Sequence, residues 1–147
     1  MEPKLDLTKE YGLVLEGGGA KGAYQIGAWK ALKEAGVKIR GVSGTSVGAL
    51  NGALICMDDL ERAENLWANI SYSQIMDVDD ELMGRLFDKT QKTPELWRET
   101  LKEVFRMLGV GGMDITPLRR LIEENIDEEV IRSSPMDFYS CTYSLTD

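Results

Sequence analysis

One serine of this 147-residue sequence stands in a pattern typical of a catalytic nucleophile. Ser46 lies in the segment Gly44-Thr45-Ser46-Val47-Gly48, a G-x-S-x-G pentapeptide. The two glycines permit a sharp turn between a strand and a helix, where a side chain at either position would obstruct close backbone approach. The helix start then surrounds the serine with positive potential, which favours an alkoxide. The pattern therefore predicts a nucleophilic serine at position 46.

A second glycine-rich segment comes earlier in the chain. Residues 17–22 read Gly-Gly-Gly-Ala-Lys-Gly, with G-x-G-x-x-G spacing at Gly17, Gly19 and Gly22. A dinucleotide site would need an acidic residue about 20 positions on, which is missing, and a phosphate loop would need its lysine after the last glycine. The N–H groups of Gly17, Gly18 and Gly19 could instead point at a substrate carbonyl oxygen. This loop therefore predicts an oxyanion hole.

The composition narrows the chemistry further. The chain contains no histidine, so a Ser-His-Asp triad cannot form, and metal sites lose their commonest ligand. We expect neither a metal nor a cofactor. The net charge of -8 repels phosphate backbones, so no nucleic-acid partner is expected.

The cysteines and the N-terminal residues indicate the cellular compartment of the protein. Cys56 and Cys141 lie in apolar segments and are expected to be buried free thiols. The N-terminus lacks the basic and apolar regions of a signal peptide, and no apolar run approaches the ~20 residues that a membrane-spanning helix needs. These features together predict a cytoplasmic protein.

The two motifs require a scaffold that brings them together. An apolar run at residues 11–16 predicts a strand, helical spacing follows from residue 23 until Gly36, residues 37–42 predict a second strand, and another helix begins near Val47. This alternation favours a parallel α/β sheet with right-handed crossovers, in which ligands bind beyond the carboxyl ends of the strands. Both glycine motifs fall at that end.

The remaining residues are less regular. Helices are predicted at residues 58–70 and 94–109, and another begins at residue 116. A third strand is predicted at residues 136–145. The acidic segment 71–93 is weakly periodic, and we interpret it as a lid or insertion within a single domain of residues 1–147. A strand at the C-terminal edge of the sheet invites self-association.

Two stretches carry a family resemblance. Residues 13–32 (LVLEGGGAKGAYQIGAWKAL) and 41–51 (GVSGTSVGALN) resemble the patatin-like phospholipase family. The resemblance implies a three-layer α/β/α fold with a mostly parallel central sheet. It also implies a serine lipid acyl hydrolase with a Ser-Asp dyad, which needs no histidine and forms an acyl-serine intermediate.

The resemblance assigns roles to particular residues. The nucleophile would be Ser46, the oxyanion loop Gly17 to Gly19, and the family's basic position, with a role in substrate binding, Lys21. The substrate would be an acyl ester of a phospholipid, lysophospholipid or neutral lipid, reached through transient contact with a membrane surface.

One part of the family pattern is missing. The family's dyad aspartate stands in an Asp-Gly pair, and this sequence contains none. We therefore expect a domain that is incomplete at its C-terminus, with the dyad aspartate outside this chain. Substitute bases within the chain would be Asp114, Asp137, Asp147 or Lys21. Two other functions stay open: a catalytically incomplete fragment that acts as a lipid-binding or interaction module, and a lipid acyltransferase.

Overall fold

The computed structural model divides the chain into two compact units. The first unit comprises Met1–Ala68 and Asn125–Asp147, and the second comprises Asn69–Glu124. Within them, the residues described by the structure are 5–74, 98 and 116–142. The predicted helix at 94–109 and most of the predicted lid at 71–93 lie outside the described residues.

The first unit is built on a parallel sheet with the strand order β1-β2-β3. These strands are, in turn, Glu10–Leu15, Lys38–Gly44 and Asp137–Ser140. Leu15 pairs with Gly44, and Gly44 pairs with Ser140, so the carboxyl ends of the three strands are level. The parallel α/β architecture predicted from the strand-helix alternation is confirmed.

Helices lie between these strands in the sequence. The described helices, numbered in chain order, are α1 Gly22–Glu34, α2 Val47–Cys56, α3 Leu60–Asn69, α4 Thr116–Asn125 and α5 Glu128–Ser133. No helix in these described ranges is long and apolar enough to cross a membrane.

Helix α1 is terminated by a glycine. Gly36 has φ 74°, a left-handed conformation that costs glycine little. Its N–H donates to the Lys33 carbonyl and that of Val37 donates to the Leu32 carbonyl, both at 3.0 Å. This pair of bonds is the Schellman motif, so α1 ends just before the glycine predicted to stop it, and β2 begins two residues after that glycine.

Helix α2 forms the centre of the core. Its residues Asn51 to Cys56 are all buried, as expected of a helix that is apolar on every side. Val42 of β2 is 1 % exposed, and a Cβ atom at Gly52 would lie 2.9 Å from the Phe138 ring. The missing side chain at Gly52 therefore lets α2 settle onto β2 and β3.

The other side of the sheet is more open. Val14, Ser43 and Tyr139 pair across the three strands, with Val14 86 % exposed and Tyr139 62 % exposed. Residues paired in this way share a face of the sheet. This row is therefore the more exposed face of the sheet in the described residues.

Two expectations about the C-terminal segment are wrong. The third strand ends at Ser140, although strand was predicted to residue 145; residues 143–145 lie outside the described ranges. The last cross-strand bond runs from Cys141 N–H to the Gly44 carbonyl, and β2 ends at that residue, which leaves no β2 backbone to extend the pairing. Cys141 is consequently exposed, whereas Cys56 is buried as expected.

Candidate functional site

Ser46 occupies a strained position between β2 and α2. Its backbone has φ 55° and ψ −127°, a conformation that non-glycine residues rarely adopt and that costs about 1–3 kcal/mol. Its carbonyl accepts bonds from Ala49 N–H at 2.8 Å and Leu50 N–H at 3.3 Å, which start the helix. The side chain forms no capping bond and is exposed. The turn therefore projects a hydroxyl at the carboxyl edge of the sheet and the N-terminus of α2.

The glycines on either side of Ser46 face backbone atoms. A Cβ atom at Gly44 would lie 2.2 Å from the Gly48 carbonyl oxygen, and one at Gly48 would lie 2.4 Å from the Leu15 carbonyl oxygen. Backbone cannot move aside as a flexible side chain can, so neither position accommodates a side chain without distortion. The tight turn thus depends on both glycines of the G-x-S-x-G segment.

The glycine-rich loop after β1 lies beside this turn. A Cβ atom at Gly17 would be 3.2 Å from Ser46 Cβ and 3.8 Å from Ser46 Oγ. Thr45 N–H also donates to the Leu15 carbonyl at 3.2 Å, which ties the two segments together. The structure therefore brings Gly17 and Ser46, which the sequence separates by 29 positions, into direct proximity.

The loop has a backbone suited to glycine. Gly18 has φ 157° and Gly19 has φ 56°, and both values disfavour residues with a Cβ atom. Among the described residues, the N–H groups of Gly17 and Gly18 donate to no acceptor. They are therefore available to a ligand at this edge of the sheet.

Lys21 and Gly22 end the loop in different ways. Lys21 N–H donates to the Gly18 carbonyl at 3.2 Å, and its exposed side chain runs beside Gly18, where a Cβ atom would lie 3.4 Å from Lys21 Cδ. A Cβ atom at Gly22 would lie 2.4 Å from the Trp67 ring and 2.6 Å from Val47. Gly22 thus lets α1 begin in close contact with α2 and α3.

A buried polar network joins the helices behind the loop. Asn51, with none of its surface exposed, donates to the Gly22 carbonyl at 2.9 Å and to Gln25 Oε1 at 2.8 Å. Its Oδ1 accepts a bond from Trp67 Nε1–H at 2.8 Å, and Gln25 Nε2 donates to the Glu16 carbonyl at 2.8 Å. The sequence prediction missed this network. Its signal was a single asparagine within the otherwise apolar segment of α2.

Asp137, one of the substitute bases considered from the sequence, does not lie beside Ser46. Asp137 is the first residue of β3 and pairs with Gly41, three positions before the end of β2. It forms an ion pair with Arg40 at 3.3 Å. Asp137 therefore lies beside the middle of β2, and not at the carboxyl ends of the strands, where Ser46 follows β2. Asp114 and Asp147 lie outside the described residues.

No candidate metal centre occurs in the described ranges. There, no three acidic or cysteine side chains come together as a ligand group.

The fold and site define a parallel α/β protein in which a strained serine and a glycine-rich loop meet at the carboxyl edge of the sheet. Comparison with known families agrees with this arrangement. The patatin-like phospholipase family model matches residues 13–142, which is most of the chain. The chain belongs to the patatin-like phospholipase family.

Curated relatives share the site segment. A lysophospholipase of Aspergillus terreus is 56 % identical over 50 residues, which cover 34 % of this chain and 3 % of the relative. Neuropathy target esterases of Drosophila sechellia and Drosophila persimilis are each 60 % identical over 47 residues, covering 32 % of this chain and 3 % of each relative. The match thus spans a very small part of these long relatives. No solved structure matches the chain.

Proposed function

We propose that this chain carries the nucleophile and oxyanion-binding part of a serine lipid acyl hydrolase. The observation that carries the proposal is the approach of Gly17 to Ser46, with 3.2 Å between a Cβ built on Gly17 and Ser46 Cβ. A nucleophile and the donors that stabilise its oxyanion must both lie within about 3 Å of one reacting carbonyl. The membership in a phospholipase family supports the same chemistry.

Ser46 is the proposed nucleophile, on a turn that acts as a nucleophile elbow. Its Oγ attacks the carbonyl carbon of an acyl ester, the alcohol leaves, and water hydrolyses the resulting acyl-serine. The N-terminus of α2 supplies positive potential to the developing alkoxide. The amides of Gly17, Gly18 and Gly19 donate to the oxyanion, an interaction whose loss typically costs about 3–4 kcal/mol per donor.

The base in this proposal is an aspartate outside the described residues, either the dyad aspartate expected outside this chain or one of the substitutes Asp114 and Asp147. Asp137 is unsuited, because it lies beside the middle of β2, away from the carboxyl ends of the strands, and is paired with Arg40. With no histidine in the chain, a Ser-Asp dyad of the kind implied by the family accounts for proton removal from Ser46 without a third residue.

The proposed substrate is a lysophospholipid. One relative is named a lysophospholipase, and the names of the others denote esterases. Exposed Lys21, which follows the proposed oxyanion loop, is placed to attract the phosphate of such a headgroup.

An assay of fatty-acid release tests this function. The chain is incubated with a lysophospholipid, and free fatty acid is measured by mass spectrometry beside Ser46→Ala. We expect release that the substitution abolishes. Vesicle binding by the wild-type chain without any fatty-acid release would overturn the hydrolase proposal in favour of a lipid-binding module. Transfer of the acyl group to an added lysolipid, in preference to water, would indicate an acyltransferase instead.

A further inference from the structure

The polar network behind the glycine-rich loop forms a directional relay. Trp67 Nε1–H donates to Asn51 Oδ1, Asn51 Nδ2–H donates to Gln25 Oε1, and Gln25 Nε2–H donates to the Glu16 carbonyl. The three distances are each 2.8 Å. The relay thus runs from α3 through α2 and α1 to the residue just before Gly17.

Both ends of the relay permit only one direction of donation. An indole N–H donates and cannot accept, whereas a backbone carbonyl accepts and cannot donate. Asn51 also donates to the Gly22 carbonyl, which fixes its amide in the same orientation. Because neither amide can turn over without losing bonds, the position of the Gln25 donor is determined by the packing of three helices.

The last bond of the relay controls a peptide plane. The Glu16 carbonyl and the Gly17 N–H belong to one planar trans peptide group, in which they point in opposite directions. Holding the Glu16 oxygen therefore sets the direction of the Gly17 N–H. The same oxygen also faces α2, since a Cβ atom at Gly48 would lie 2.8 Å from it.

The loop needs such an external restraint. Gly17 begins a run of three glycines, and glycine has greater backbone freedom than any other residue. Among the described residues, the Gly17 N–H has no acceptor of its own that would hold its direction. The Gln25 bond acts on the peptide group directly.

We infer that Gln25, held by Asn51 and Trp67, is a positioning residue that orients the Gly17 N–H towards the oxyanion formed at Ser46. This inference rests on the proposed function. Gln25 does not touch the substrate; it acts through the Glu16 carbonyl. Preorganised donors are effective because they need no reorganisation when charge develops. Loss of the restraint therefore lowers the chemical rate more than it lowers substrate binding.

The variant Gln25→Glu breaks the last bond of the relay and adds a charge, and Gln25→Met breaks the same bond without a charge. Glutamate keeps an oxygen that accepts from Asn51, but it has no N–H for the Glu16 carbonyl. Lys30→Gln is the matched control, because it breaks the Lys30–Glu64 ion pair between the same helices, α1 and α3, without touching the relay. Gln25→Met removes both hydrogen bonds of the Gln25 amide, the one with Asn51 and the one with the Glu16 carbonyl.

We expect Gln25→Glu to lower kcat for lysophospholipid hydrolysis by about 10- to 100-fold, less than the full loss of one oxyanion donor, with KM nearly unchanged. Gln25→Met should show a similar fall, and Lys30→Gln should retain the wild-type rate. A structural role limited to helix packing would instead leave kcat of Gln25→Glu unchanged, or would lower it equally in Lys30→Gln. Either of these results overturns the inference.

A second readout separates this inference from the proposed function. Residual dipolar couplings of the ¹⁵N-labelled protein report the direction of the Gly17 N–H without any substrate. We expect this coupling to change in Gln25→Glu while the couplings of β1 and the coupling of Gly17 in Lys30→Gln stay the same. An unchanged Gly17 coupling in Gln25→Glu would contradict the positioning role, whereas an inactive wild-type chain would contradict the proposed function.

Discussion

Gly48, in the first turn of α2, faces the carbonyl oxygen of Leu15 so closely that a Cβ atom there would lie 2.4 Å from it. The same oxygen accepts a bond from Thr45 N–H at 3.2 Å. The end of β1 is therefore held against the turn that carries Ser46. Because the glycine-rich loop starts two residues after Leu15, this contact determines where the loop meets the serine.

A methyl group at position 48 should separate these segments. We expect Gly48→Ala to lower the free energy of unfolding by about 3 kcal/mol, because the Cβ atom overlaps backbone that cannot rotate away. Gly27→Ala in α1 is the matched control: no atom outside α1 lies within 4 Å of its Cβ position, so it should stabilise the protein by about 0.5–1 kcal/mol through helix propensity. Urea unfolding of both variants measures the difference. Equal stability of the two variants would contradict the close approach.

The backbone strain at Ser46 predicts a gain in stability on its removal. Glycine adopts φ 55° without a Cβ penalty, so Ser46→Gly should be about 1 kcal/mol more stable than Ser46→Ala, after allowing for the entropy that glycine loses on folding. Thermal unfolding of the two variants gives the comparison. A less stable Ser46→Gly would show that the turn at position 46 is unstrained.

The bonds of Asn51 should be coupled energetically to Trp67. Asn51→Leu leaves the Trp67 N–H without an acceptor and Gln25 Oε1 without its donor, and we expect a loss of about 2–4 kcal/mol. Trp67→Phe removes the indole N–H, so that Asn51→Leu in the same protein leaves no unpaired donor at this position. In a double-mutant cycle the combined variant should therefore lose less stability than the sum of the two single variants. Strict additivity would mean that this hydrogen bond contributes nothing.

The two cysteines should differ in reactivity. Burial, followed by the charge of Asp137, raises the pKa of the Cys56 thiol to about 11, so at pH 8 it is protonated and shielded. Cys141 is exposed at the end of β3. Iodoacetamide at pH 8 should thus modify Cys141 alone in the folded protein and both thiols in urea. Peptide mass mapping locates the adducts, and Cys141→Ser provides the control in which the folded protein stays unmodified.

Local signals were sufficient for the elements around the site. The stop of α1 at Gly36 and the strand before the glycine-rich loop depend on residues adjacent in sequence, and the structure has both. The length of β3 depends instead on where its partner β2 ends at Gly44, which no pattern within residues 136–145 records. The exposure of Cys141 follows from the same tertiary constraint.

The candidate site likewise contains features that local sequence predicts and features that depend on tertiary packing. The two glycine motifs could be found from spacing alone, because each is a continuous segment. The relay through Asn51, Gln25 and Trp67 could not, since it joins three helices whose packing the sequence does not state. A polar residue inside an apolar helix is the feature that calls for a buried partner, and Asn51 is such a residue.

The reactivity of Ser46 is the most direct test of the proposed chemistry. The chain is incubated with a fluorophosphonate, which forms a covalent adduct with activated serines, and its intact mass is measured beside that of Ser46→Ala. We predict one adduct on the wild-type chain and none on the variant. A folded wild-type chain that gains no adduct, or an adduct that persists in Ser46→Ala, would contradict the assignment of Ser46 as the nucleophile.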